Sequence, residues 1–426
     1  MRRPRLSRGG NLLLVLLTSL LGCGPLAGQS DGIAVYIDRA TRYFSLEDSL
    51  SAEGQSLFDS LLRENHYVIL GEYHGSTQIG RLTEALLPIY ARHSGSRFGL
   101  EIGPEASRLI NEAMARETAR SFIRRINAEY ALITTKRPFP PIPFFRSAAD
   151  AAFLQTAFDV GLTTVGLDQE YLYSYLLLLD TLEANIPRNA HASMEVSGGL
   201  RDTLTAYLTR EKAVIEDGGG RRDRLPIRFQ ESAFIREGLE KLATTSERAR
   251  GLVRSLLTSN RIYYHNATGD WWNANRLRTE NFVENFQRGF LPDGQISDER
   301  LFLKIGSLHA AKGMNNYYRY DLGNLIYETA RLTGRKSLHA VVLERYWESD
   351  DGGVTDLLQD STSWLATNFG QVLRVGRPDK WTAIDAALIR KQGLYLEDVS
   401  PALRQYFERY DLFIIPPADR EPALLR

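Results

Sequence analysis

Two apolar runs, far apart in the chain, end in the same way. Val68-Ile69-Leu70 leads into Gly71-Glu72-Tyr73-His74, and Leu301-Phe302-Leu303-Lys304-Ile305 leads into Gly306-Ser307-Leu308-His309. Short apolar runs of this kind read as strands buried on both faces, the condition of strands in a helix-covered parallel sheet. A Gly-x-x-His ending puts an imidazole just past the carboxyl end of its strand. Open α/β sheets hold their ligands at that edge. Two histidines in equivalent settings therefore point to one shared site.

The rest of the chain fits such a sheet. Residues 49–64 read as a helix with Phe58, Leu61 and Leu62 on one face, followed by a strand at 66–72 and a helix at 77–93. A strand at 97–103 leads into a helix opening at Pro104, a residue suited to a first turn. Pro138, Pro140, Pro141 and Pro143 make 136–143 an ordered loop or lid. A helix at 147–160 and a strand at 163–168 resume the alternation. From about 172 to 290 the pattern is almost all helical, as expected of a cap inserted into the sheet. The strand at 301–305 returns to the sheet, and further strands are expected at 338–344, 371–375 and 411–415. Alternating strands and helices give the expected class: α/β, a mostly parallel sheet with helices on both faces and a helical cap insertion. We assign residues 49–426 to this domain, with 23–48 as a tether and N-terminal segment. The chain of 426 residues, 43% apolar and 24% charged, is long enough for a large core. Its formal net charge of zero gives no support to nucleic-acid binding.

The N-terminus has its own pattern. Arg2, Arg3, Arg5 and Arg8 precede an apolar stretch from Leu12 to Leu21, too short to span a bilayer as a helix. Leu20-Leu21-Gly22-Cys23 resembles a bacterial lipobox, in which cleavage before the cysteine is followed by its acylation. Cys23 is the sole cysteine of the chain. Residues 1–22 are thus expected to be a lipoprotein signal peptide. Removing them with their four arginines leaves 48 basic against 52 acidic residues, about −4. A chain without another cysteine has no internal disulfide and no thiol nucleophile. The expected setting is the cell envelope, extracytoplasmic or periplasmic, with a lipid anchor as the membrane contact.

The chemistry-bearing residues cluster at strand ends. Glu72 and His74 follow the first strand. Glu101 lies among Phe98, Leu100 and Ile102, on the face opposite to theirs. An unsatisfied polar group buried among apolar neighbours costs on the order of 2–7 kcal/mol, so Glu101 needs a partner. Asp168-Gln169-Glu170 ends a third strand, and His309 follows a fourth. Any one of these is more simply a helix cap or an ion pair; together they favour a polar site. In the insertion, Trp271, Asn275, Arg278, Phe282 and Asn285 recur at helical spacing on one face. An inward Arg278 would neutralise Glu72 or Glu101, or bind a substrate oxyanion. His66 and His339 read as satisfied structural residues, His93 and His191 as surface positions, and His265 as a packing residue.

No Gly-x-Ser-x-Gly follows a strand as a nucleophile elbow would, and the chain has no His-Glu-x-x-His, no P-loop and no Gly-x-Gly-x-x-Gly after a strand. With no side-chain nucleophile in view, water is the natural one, with His74 or His309 as its general base. Alternatively His74, His309, Glu72 and Glu101 hold a divalent metal, since such nitrogen and oxygen donors suit zinc, manganese or iron.

These motifs, in order, resemble the erythromycin esterase-like family: Leu70-Gly71-Glu72-Tyr73-His74-Gly75, Glu101, Arg278-Thr279-Glu280-Asn281-Phe282-Val283-Glu284-Asn285, Lys304 to Gly313, and Leu322-Gly323 with Leu325. The resemblance covers about residues 60–345. That family usually has two residues between the Glu and the His of the first motif, and commonly a second histidine where Ser307 stands here. The single spacer Tyr73 is similar to ChaN-type haem-binding lipoproteins and to the TraB/Tiki proteins, which include metal-dependent peptidases. The resemblance implies His74 as the water-activating base, His309 as a second polar or ligand group, and Glu72, Glu101 and Arg278 as their partners. The leading expectation is a lipid-anchored hydrolase acting on a small-molecule or peptide ester or amide. The alternatives are a metal-dependent peptidase and a haem- or iron-binding lipoprotein. For haem, Tyr73, Tyr263, Tyr264, Trp271 and Trp272 would serve the pocket.

Overall fold

A computed structural model of the chain describes residues 31–186, 191–218, 220, 223–349, 352–392, 399–420 and 422–425. The expected signal peptide and Cys23 lie outside the described residues.

Eight strands form the main sheet: β1 (Thr41–Phe44), β2 (Tyr67–Glu72), β3 (Arg97–Leu100), β4 (Thr163–Gly166), β5 (Leu301–Gly306), β6 (Ser337–Val342), β7 (Trp381–Asp385) and β8 (Leu412–Ile415). Their spatial order is β1-β7-β8-β6-β2-β5-β3-β4. The run from β8 to β4 is parallel throughout, and β7 pairs antiparallel with both β8 and β1 at the other edge. Successive residues of β2 feed opposite cores. Val68 and Leu70 join Phe98, Leu100 and Phe302 against the helices Thr77–Arg92 and Ala148–Asp159. Tyr67 and Ile69 join Leu303, Ile305, Phe282, Ile326 and Phe413 on the other face. Both faces are thus covered, which is why β2 and β5 are apolar on both faces as far as Leu70 and Leu303.

The insertion comprises helices Tyr175–Glu183, His191–Asp217, Leu225–Glu231, Ala233–Ala243, Glu247–Thr268 and Trp271–Phe290. It has a core of its own, built on Leu178, Leu200, Phe229, Leu239 and Leu252. The last helix, Trp271–Phe290, turns back and packs Phe282, Phe286 and Phe290 onto the sheet.

The structure corrects the sequence reading in three places. The strand expected at 371–375 is the end of a helix, Trp364–Leu373, capped by Ser363, whose Oγ accepts from the Ala366 N–H. Its buried residues Phe369, Val372 and Leu373 follow helical spacing, and the apolar pair alone does not separate the two periods. The strand in this region is β7. Residues 31–40 and 41–44 form a helix and the edge strand β1, so this part of the N-terminal segment belongs to the fold. Within the proline-rich stretch, Pro138–Phe139 pairs with Leu132–Ile133 in a small hairpin. The loop after it reaches the sheet edge at Phe144.

Candidate functional site

Register places the two Gly-x-x-His segments side by side, with Glu72 opposite Gly306 on parallel β2 and β5. Close packing requires the glycines. A methyl on Gly71 would lie 2.9 Å from the Ala310 Cβ, and one on Gly306 would lie 3.1 Å from Glu101 Oε2 and 3.2 Å from the His74 ring. Beyond the strands, the four-residue turn of helix Ser307–Ala310 carries His309, and the loop into Thr77–Arg92 carries His74.

Each imidazole rests on its own carboxylate. His74 Nδ1–H donates to Glu72 Oε1 at 3.3 Å, and His309 Nδ1–H donates to Asp321 Oδ2 at 2.7 Å. Glu101 stands between the two rings: its Oε2 is 3.9 Å from His74 Nε2, and its Oε1 is 3.9 Å from His309 Nε2. These separations exceed a direct hydrogen bond and suit a bridging water or substrate atom. Phe144 packs on His74 with ring centroids 4.6 Å apart, and Phe282 on His309 at 5.0 Å. The His74 side chain is 49% exposed whereas that of His309 is only 9% exposed, so His74 is the ring open to an incoming molecule.

Two cations, buried Lys304 and half-buried Arg278, divide the carboxylates. Lys304, on the same face of the sheet as Glu72, reaches its Oε2 at 2.5 Å. Arg278 Nη2 donates to Glu101 Oε1 at 2.7 Å and to Asp168 Oδ2 at 2.5 Å, while its Nε donates to Asp168 Oδ1 at 3.0 Å. The Gly306 N–H adds a 2.6 Å bond to Glu101 Oε2. Burial alone would raise the Glu101 pKa, but Arg278, the two histidines and this N–H hold it down at about 2. Burial likewise opposes ionisation of Glu72, and Lys304 with His74 outweighs it, leaving its carboxyl below the usual range. For His74, burial pulls the pKa down, yet the Glu72 hydrogen bond and the charge of Glu101 pull harder and raise it.

Glu72, His74, Glu101, Arg278 and His309 therefore meet at one place, with Asp168 beside them. Three further neighbours complete the surroundings of the site. Lys304 is a lysine inside an apolar strand, and a buried ammonium demands an acidic partner. Asp321 looks in sequence like the cap of helix Leu322–Leu332, which it also is, through the Leu322 N–H at 2.8 Å. Phe144 has no sequence signal beyond its loop. Trp271, expected on the inward stripe, is 64% exposed; only Arg278, Phe282 and Asn285 of that stripe turn toward the sheet. Glu170 leaves the site to accept the N–H groups of Glu105 and Ala106 at a helix N-terminus. His66 and His339 are bonded to backbone carbonyls of Glu299 and Ala310, and His265 pairs with Asp270.

The donor set does not fit a metal ion as arranged. Lys304 and Arg278 already occupy the carboxylates a cation would need, and no group of three or more His, Cys, Asp or Glu among the described residues is disposed to hold one. The tyrosines and tryptophans considered for haem are not the rings that pack on His74 and His309. Tyr73 instead donates to Asp419 at 2.8 Å.

No family profile and no curated protein matches the chain by sequence. Solved structures do match by shape. A succinoglycan biosynthesis protein aligns over 94% of this chain and 99% of its own, at 15% identity and a TM-score of 0.53. A His-to-Asn variant of the erythromycin esterase EreC, in its open conformation, aligns over 91% of this chain and 99% of its own, at 13% identity and a TM-score of 0.55. A Bacillus cereus protein aligns over 93% and 99%, at 11% identity and a TM-score of 0.50. The chain thus has the erythromycin esterase-like fold.

Proposed function

We propose that the protein is a hydrolase that activates water at His74 and cleaves an ester or amide. The observation that carries this reading is the pair of imidazole–carboxylate dyads facing each other across Glu101, one open and one enclosed. With Nδ1–H committed to Glu72, neutral His74 presents the lone pair of Nε2 to a water. The water oxygen attacks the substrate carbonyl and its proton passes to Nε2. Arg278 Nη1 takes part in none of the bonds to Glu101 and Asp168, and serves as donor to the developing oxyanion. His309, oriented by Asp321, gives a proton from Nε2 to the leaving group as the carbonyl reforms. Glu101 stabilises whichever ring is charged. The erythromycin esterase-like fold supports hydrolysis as the reaction class.

The test is turnover of a panel of chromogenic esters and peptides by the purified protein. His74→Ala should abolish it while circular dichroism remains that of the wild type, and undiminished activity in that variant would sink the assignment. Because the carboxylates are occupied by Lys304 and Arg278, turnover should also survive dialysis against a chelator. Its loss, restored by added metal, would favour the peptidase reading instead.

We further propose that Cys23 is lipidated and tethers the domain to the outer face of a membrane. Metabolic labelling with a fatty acid checks this: Cys23→Ser should lose the label and move to the soluble fraction.

A further inference from the structure

Arg319 differs from the other cations near the site. It lies in the loop between His309 and Asp321, which the Asn315 side chain organises. Asn315 Oδ1 accepts the N–H groups of Tyr317 at 2.9 Å and Arg319 at 3.2 Å. Its Nδ2 donates to Asp321 Oδ2 at 3.1 Å, the oxygen that also receives His309 Nδ1–H. Tyr318 completes the turn at φ 58°, the left-handed region. The loop that presents Arg319 is thus bonded through one carboxylate to a candidate reacting group.

The guanidinium sits over an indole. Its central carbon lies 3.6 Å from the centroid of Trp272. Trp272 is six residues before Arg278 on helix Trp271–Phe290, about 9 Å along its axis. Arg319 Nε and Nη2 are buried and have no hydrogen-bond partner. Lys304 has Glu72 and Arg278 has Glu101 and Asp168, but Arg319 pairs with no carboxylate among the described residues. Nε and Nη2 form the edge that gives two parallel N–H donors to a carboxylate or phosphate. Leaving a charged donor buried and unpaired costs more than a neutral one, so this edge is stripped of water without recompense in the free protein. Its seat on the ring restrains it before any ligand arrives, which lowers the ordering cost of binding an oxyanion. Trp271, Tyr317, Tyr318 and Tyr320 nearby in sequence are exposed, and offer faces to the organic part of a ligand.

We propose that Arg319, stacked on Trp272, binds an oxyanion carried by the substrate, so that the site acts on an anionic ester or amide. This rests on the hydrolase reading above. The substrate's anionic group accepts from Nε–H and Nη2–H once the exposed side chains of Tyr317, Tyr318 and Tyr320 turn aside, with Arg319 still seated on Trp272, and its scissile bond reaches the two imidazoles deeper along the helix.

Isothermal titration of the full chain with cyclohexanecarboxylate, and separately with inorganic phosphate, tests the proposal. Saturable binding of at least one is expected, weakened about tenfold or more in Arg319→Gln and retained in His74→Ala. Binding of the carboxylate alone names an organic acid as the substrate, and binding of phosphate alone names a phosphorylated one. No saturable binding by either anion, or equal affinity in Arg319→Gln, overturns the proposal. Should that variant not fold, Trp272→Ala removes only an exposed ring and should still weaken binding several-fold; equal affinity there also overturns it. Anion binding that passes these tests without turnover of any ester or amide would sink the hydrolase reading and leave the anion site standing.

Discussion

Lys304 and Arg278 keep a crowded set of acids ionised in a place with little water. Removing one partner of a buried pair leaves the other unpaired, at a cost of about 3–5 kcal/mol. Lys304→Met should therefore lower the urea-unfolding free energy by about that amount, and adding Glu72→Gln should recover most of it. A double variant no more stable than the single one would mean that Lys304 acts by packing instead, on Phe144 and Phe153. His74 gives a second prediction. Its pKa is raised, so the neutral base appears only above the ordinary histidine value of 6.5. In Glu72→Gln the hydrogen-bonded charge is gone, and the titration of His74 followed by NMR should move to lower pH. The acids and histidines were legible in the sequence because they interrupt apolar strand ends, where a polar residue needs a reason. Lys304 gave the same signal, but its partner could not be read, because pairing depends on the register that sets Leu70 beside it. Asp321 was hidden by its second role as a helix cap.

At the scale of elements, the site depends on two strands standing close enough for their trailing loops to touch. Gly306→Ala puts a methyl against Glu101 and the His74 ring, both of which belong to the proposed reacting set. Displacements below an ångström at such groups cost up to about 100-fold in rate. The expected result is a large loss of kcat with a change in Tm of a few degrees at most; wild-type kcat would show that the two rings have slack. The helix that ends at Leu373 depends on Ser363, and Ser363→Ala should cost about 1 kcal/mol by urea titration. Strands β2 and β5 and the helical cap were legible because long periodic segments carry their own signal. The strand wrongly placed at 371–375, and β7 and β1 which were missed, belong to the antiparallel edge. There the runs are short, and tertiary pairing rather than local pattern decides the outcome.

For the whole molecule, His339 links the sheet to acid stability. It is fully buried, with Nδ1–H donating to the Ala310 carbonyl, and burial pushes its pKa down to about 4. A folded value below the unfolded 6.5 means that this contribution is complete above pH 6.5 and is lost as pH falls toward 4. The shift corresponds to roughly 3 kcal/mol. Urea midpoints should therefore drop between pH 6.5 and 4, and His339→Gln should flatten that drop. An unchanged slope would assign the acid sensitivity to other groups. Glu72 and Glu101, whose carboxyls are held low, keep their contributions to more acidic pH and lose them only as pH falls through their own folded values.

The position of β5 sets a timetable for the chain. β2 and β3 are made early, but the sheet keeps a vacant lane between them until residues 301–306 arrive from beyond the cap. Closing so long a loop before any pairing rewards it is a slow step for a growing polypeptide. A ribosome-bound chain that ends before Leu301 has Trp272, His74 and Arg278, yet no central strand to hold them in register. The site thus stays unassembled through most of the chain's own synthesis. If the proposed hydrolase is made in one compartment and used in another, that delay separates manufacture from action.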